Sequence, residues 1–80
     1  MDEKGELVFS TTFSFEDSQY EVCVFCRDDG HHLAETSFDA NDVIINDGAS
    51  LQEALDRHLA LLPVAISTRR IMRLRMPPSF

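Results

Sequence analysis

Cys23-Val-Phe-Cys26, the adjacent pair His31-His32, and His58 are the residues of this sequence whose types could hold a metal or carry redox or acid–base chemistry. A redox Cys-x-x-Cys needs its first thiol at a helix N-terminus, where the dipole favours the thiolate. A zinc site on the same spacing needs a tight turn and a second pair of ligands. Cys23 and Cys26 instead lie in an alternating run, Tyr20 to Arg27, that has the pattern of a β-strand. Side chains three apart on a strand project to opposite faces, so they neither bridge nor share a metal. Adjacent His31 and His32 diverge for the same reason. His58 falls on the apolar stripe of a predicted helix, where a hydrogen-bonded histidine at the edge of a core is the simpler account. Asp28-Asp29 and Asp39…Asp42 sit in turn signals, where Asp side chains bond nearby backbone. Neither a glycine-rich phosphate loop nor a nucleophile motif is present. The sequence therefore predicts no catalytic residue, no metal and no cofactor. A small metal-binding protein using His31, His32, His58 and the cysteines is an alternative.

Charge is unevenly placed. The 80 residues carry a net −7. All fourteen acids lie between Asp2 and Asp56, whereas residues 57–80 hold only bases: Arg57, Arg69, Arg70, Arg73 and Arg75. The net charge disfavours nonspecific attraction to phosphate backbones or anionic membrane. Two explanations fit the split. The basic segment lies beside an acidic strand of the same sheet, where opposite charges across strands stabilise. Alternatively Arg69, Arg70, Arg73 and Arg75 form a contact surface for an anionic partner. A small nucleic-acid-binding domain using that arginine segment is a further alternative. The phenylalanines and Tyr20 concentrate in residues 9–38, but in a region too acidic for a base-stacking platform, and they are expected in the core.

The elements that would position these groups follow from periodicity. Leu7, Phe9, Thr11, Phe13 and Phe15 alternate with Val8, Ser10, Thr12 and Ser14, a strand with one strongly apolar face. Glu16 to Gln19 is a hairpin loop. Tyr20–Arg27 is the second strand, Asp28-Asp29-Gly30 a turn, and His31–Phe38 the third strand. Asp39–Asp42 breaks it, and Val43–Ile45 is a short fourth strand or a continuation. Ser50-Leu-Gln-Glu53 fits a capping box in which the Glu53 carboxylate reaches back to the cap residue. Leu51, Ala54, Leu55, His58, Leu59 and Leu62 recur at helical spacing behind it. Pro63 is expected to end or kink that helix. Beyond it, Met72, Leu74 and Met76 alternate with Ile71, Arg73 and Arg75, which predicts a last edge strand; a second helix over 64–76 is the alternative. The expectation is one α+β domain over residues 1–80: an antiparallel sheet of four or five strands packed on one main amphipathic helix near Ser50–Leu62. Residues 1–5 and 77–80 are expected to fray.

From Tyr20 onward the order of features resembles the HicB antitoxin family. Tyr20-Glu-Val-Cys-Val-Phe stands as a strand, Asp28-Asp29-Gly30 as its turn, and Gly48-Ala-Ser50-Leu-Gln-Glu53-Ala54-Leu55 as the helix start, over roughly Tyr20 to Leu62. The family's Pro- and Gly-containing segment after its second strand is replaced by Ser37–Asp42, and no helix-turn-helix or ribbon-helix-helix segment follows. The resemblance implies a β-β-β-α-β core and a role in binding another protein. An acidic domain of that kind suits a basic, RNA-cleaving partner electrostatically.

The sequence thus points to a non-enzymatic protein-binding or regulatory module. A face or edge of its sheet, together with Arg69, Arg70, Arg73 and Arg75, is the candidate contact surface, and its partner is another protein, with nucleic acid and membrane disfavoured. A core this thin gains from self-association, so a homo-oligomer is expected. Met1-Asp-Glu-Lys is not a secretory start, and the longest apolar stretch, Leu59–Ile66, is too short to span a bilayer. Two cysteines without a leader fit reduced thiols in the cytoplasm.

Overall fold

The computed structural model describes residues 5–75, with side chains through residue 72. Four strands precede one helix: β1 (Glu6–Phe15), β2 (Ser18–Cys26), β3 (His32–Asp39), β4 (Asp42–Gly48) and α1 (Leu51–Arg75). The strands pair antiparallel in chain order, β1-β2-β3-β4, and the helix lies across one face. This is the α+β arrangement that the alternating first half and the capped apolar stripe predict. The predicted lead-in at residues 1–4 and the Pro77-Pro78 end lie outside the described residues.

Turn chemistry sets the joins. Two residues, Glu16 and Asp17, link Phe15 to its partner Ser18. Glu16 takes φ 55, a left-handed conformation that costs a non-glycine residue roughly 1–2 kcal/mol. The β2–β3 connection closes through Gly30, at φ 89. There the Gly30 N–H donates to Arg27 O at 3.0 Å, and the His31 N–H donates to Asp29 Oδ1 at 3.0 Å. Ala40-Asn41 joins β3 to β4, with the Asn41 N–H donating to Asp39 Oδ1 at 2.8 Å.

Pairing is uneven. β1 and β2 pair from Glu6–Cys26 to Phe15–Ser18, and β3 and β4 from His32–Gly48 to Asp39–Asp42. Between them, β2 and β3 pair only from Cys23–Glu35 to Cys26–His32. The sheet is therefore two hairpins joined over a short central ladder. A bulge at Val8 shifts the β1 register between Leu7 and Phe9. It corrects the single apolar face expected for this strand: Phe9 pairs with Val24 on the helix side, but Leu7 pairs with Phe25 on the other.

The helix differs most from expectation. Its start is capped as predicted, the Glu53 N–H donating to Ser50 Oγ at 3.1 Å. The Glu53 carboxylate, however, reaches one residue further back and accepts from the Ala49 N–H at 2.6 Å. Gly48 lies so close beneath that a Cβ there would sit 2.5 Å from Ala54 N. In place of the predicted last strand, residues 63–75 continue α1 with Pro63 inside it, which is the helical alternative for 64–76 as far as the described residues go. Interior proline costs a helix about 3 kcal/mol. Offsetting this, Ile66 continues the buried line Ala54–His58–Leu62 by one more turn and joins Val22 and Leu62 in the core. The period of two that suggested a strand at 71–76 is overridden by this tertiary packing. Among the described residues the order from Tyr20 is thus three strands and a helix, without the closing strand that the HicB resemblance implies.

Val22, Leu62 and Ile66 form one core cluster, with Phe13, Phe15, Tyr20, Phe38 and Ile44 around it; Val24, Ala34 and Ala54 form a second under the helix start. The helix packs mainly on β4, then β3, then β2. It leaves most of β1 uncovered, and Leu7, Val8 and Phe9 are exposed in succession. No described helix is long and apolar enough to cross a membrane.

Candidate functional site

The groups first singled out are held apart. Cys23 is on the open face of the sheet and Cys26 on the helix side, as alternation requires, and neither is in a disulfide. Cys26 Sγ lies 3.6 Å from Arg27 O. His31 is in the exposed turn, its Nδ1 3.4 Å from Asp29 Oδ1. The backbone bond from His31, helped by the nearby charges of His31 and Arg27, holds the Asp29 carboxyl below its usual range despite some desolvation. Among the described residues no three His, Cys, Asp or Glu side chains gather as a metal would need.

His58 has partners instead. Its Nε2 lies 2.7 Å from Thr36 Oγ1 and its Nδ1 2.5 Å from Asn46 Oδ1. The Asn46 amide is oriented by Nδ2, which donates to Ala54 O at 3.0 Å. Oδ1 is therefore an acceptor, His58 carries its proton on Nδ1, and Nε2 accepts from the Thr36 hydroxyl. Burial pushes the His58 pKa below the ordinary 6.5, against the opposing charge of Glu35. Hydroxyl, imidazole and amide in series resemble a nucleophile, base and orienting group. Yet His58 is 0% exposed and Thr36 1%, so a substrate could reach neither without opening the helix–sheet layer. The network ties β3, β4 and α1 together in the core.

The arginines resolve the charge split in part. Arg69 grips Asp42 bidentately, Nε to Oδ2 at 2.8 Å and Nη2 to Oδ1 at 2.7 Å, and Nη1 donates to Ala65 O at 3.0 Å. Its guanidinium lies 4.3 Å from the centre of the Phe38 ring, which meets Tyr20 edge-on at 5.7 Å. The Arg69 hydrogen bonds hold the Asp42 carboxyl below its usual range, and Asp42 raises the Arg69 pKa in return. Arg70 pairs with Glu16 in the β1–β2 turn. A cleft of about 230 Å³ lined by Tyr20, Phe38, Asp42, Ile66 and Arg69 opens beside this clamp. So Arg69 and Arg70 are bound within the chain, by acids of the sheet, in the manner of the first of the two explanations for the charge split. The acids are reached from a helix, not from a neighbouring strand. Arg73 and Arg75 occupy the last turn of α1, and their side chains lie outside the described residues.

The other expected contact surface, a face of the sheet, is the one away from α1. Registers place Phe25 beside Leu7 and Leu33, and Glu35 between Cys23 and Ile45. Val43 is 39% exposed and Ile45 53%. Glu21, Glu35 and Asp47 share the face, and none of its strand positions is Lys or Arg. A hollow of about 280 Å³ lined by Glu21, Cys23, Phe25, Glu35 and Ser37 lies where β2 and β3 stop pairing. The signal was in β2: Val22 and Val24 suffice for one core, yet Cys23 and Phe25 make the other side apolar too. No family model matches the chain, and neither a similar curated protein nor a similar solved structure was found.

Proposed function

We propose that this protein is a non-catalytic binding module whose open sheet face receives a basic, partly apolar protein partner. The observation that carries the reading is the composition of that face: apolar side chains at Leu33, Val43 and Ile45 set among Glu21 and Asp47, with no cation in its strands. Apolar area supplies affinity, and carboxylates around it favour a positively charged partner and speed its encounter. The sealed Thr36–His58–Asn46 network supports a structural role for the groups that would otherwise suggest catalysis. An antitoxin-like role, neutralising a basic RNA-cleaving protein in the cytoplasm, is the specific form of this reading that the HicB resemblance favours. The nucleic-acid alternative has lost ground, because Arg69 and Arg70 are already engaged by Asp42 and Glu16.

The test is affinity capture from the native host with the wild-type chain and with Glu21→Lys/Ile45→Lys, two changes at positions that are not buried. A basic protein retained stoichiometrically by the wild type, released by salt and not retained by the variant is the expected result. Equal capture by both chains would remove the open face from the interaction. Capture of nucleic acid with a steep salt dependence would favour the alternative.

A further inference from the structure

β1 is an edge strand of ten residues whose outer side has no partner strand among the described residues. Natural edges are protected by charge, by proline or by a covering element. β1 has a bulge at Val8 but little else: Glu6 at its start is its only charged residue, it has no proline, and α1 packs on the other three strands. The opposite edge, β4, carries Asp42 and Asp47 and lies under the helix.

We infer that β1 is a self-association edge, along which a second copy of this chain pairs antiparallel to give a continuous sheet across both copies. The occupant follows from charge. A chain of net charge −7 meets its own copy at a cost wherever its acids face each other. Face-to-face contact of the open sheet surfaces would set Glu21, Glu35 and Asp47 against themselves, and β4 against β4 would bring Asp42 and Asp47 together. From Leu7 to Phe15 β1 has no charge at all, so two copies meet there without that cost. A two-fold axis at Thr11 would place Phe9 of one copy against Phe13 of the other. Both side chains are on the helix side of β1, Phe9 exposed and Phe13 half-buried against the edge of the core. Cross-strand aromatic pairs of this kind stabilise a two-stranded contact. The seam is distinct from the open face proposed above for a basic partner, so each can fail without the other.

The experiment is sedimentation equilibrium on the full chain over a range of concentration, with Ser10→Lys/Thr12→Lys alongside. Both positions are exposed at the strand centre. Thr12 pairs with Glu21, so a lysine there suits the monomer while crowding positive charge at the seam. The expected result is a dimer for the wild type and a monomer with unchanged circular dichroism for the variant. A monomeric wild type at every concentration, or a variant that remains dimeric, would overturn the inference. Thr11→Cys keeps the test decisive if the lysine variant fails to fold. Under mild oxidation the introduced thiol should cross-link to its counterpart in a second chain, seen by mass spectrometry of the unreduced peptides. The absence of that cross-link in a dimer would exclude the β1 seam.

Discussion

Asn46 and His58 lock one another: the amide oxygen takes the Nδ1 proton at 2.5 Å while the amide nitrogen is committed to Ala54 O. Because the amide cannot flip without breaking the second bond, the histidine is held in one tautomer, and its other nitrogen is left to accept from Thr36 at 2.7 Å. Both hydrogen bonds use the neutral ring, and burial opposes charging it. A polar chain in a core this small carries an energetic penalty wherever one member is removed, since the others are then orphaned.

His58 should therefore give stability an acid limb. Its folded-state pKa is lowered, so as pH falls below the ordinary 6.5 the unfolded chain gains a proton that the folded chain resists. Stability from this group is complete above that pH. It declines through the interval down to the folded pKa and levels off below it, where both states are protonated. Urea denaturation at about pH 7.5 and about pH 5.5 should show a loss for the wild type that His58→Gln lacks. His58→Ala should cost about 2–4 kcal/mol at the higher pH, from the cavity and the orphaned Thr36 and Asn46 groups. Equal pH dependence in wild type and His58→Gln would contradict the buried neutral ring.

Pro63→Ala tests the continuous helix. An alanine restores the missing N–H and relieves the clash with the preceding turn, against a smaller loss from the freer unfolded chain. The expected outcome is a gain on the order of 1–3 kcal/mol in urea denaturation, with helical circular dichroism retained or increased. Were the helix to stop at Leu62, the substitution would bring no such gain.

Gly48→Ala and Gly30→Ala should separate steric from conformational cost. A Cβ on Gly48 meets the backbone of Ala54 at 2.5 Å, so the helix start must move. A cost of about 1–3 kcal/mol is expected, together with weaker protection of the first helical amides from hydrogen exchange. A Cβ on Gly30 meets nothing within 4 Å, and the φ of 89 is its only obstacle. Gly30→Asn should therefore recover most of what Gly30→Ala loses, since asparagine tolerates this region. The same rescue at Gly48 is not expected.

What the sequence displayed clearly was local. Alternation from Leu7 to Phe15 and from Tyr20 to Cys26, the Asp-Asp-Gly turn and the Ser50–Glu53 cap each rest on residues close together in the chain, and each element is where its pattern places it. His58 on the apolar stripe was legible as a hydrogen-bonded core residue, although its partners Thr36 and Asn46 come from two different strands and had no signal of their own. The helix beyond Pro63 is legible only as the alternative to an edge strand, and its continuity with the first through Pro63 is not. Local chemistry there opposes it, and what favours it, the burial of Ile66 and the reach of Arg69 to Asp42, is visible only once the sheet is in place. Leu7 falls on the face opposite to the one its alternation predicts, because a single bulged residue, Val8, reverses the pattern.

Strands that pair only with their chain neighbours have a further consequence during synthesis. Each hairpin can close as soon as its second strand emerges, so the sheet can form before α1 is free to cover it. Until His58, Leu62 and Ile66 follow, both faces of that sheet are bare and β1 is open at its edge. The nascent chain passes through its most adhesive state when all four strands have emerged without their cover. Slow emergence of residues 51–66 would lengthen that exposure.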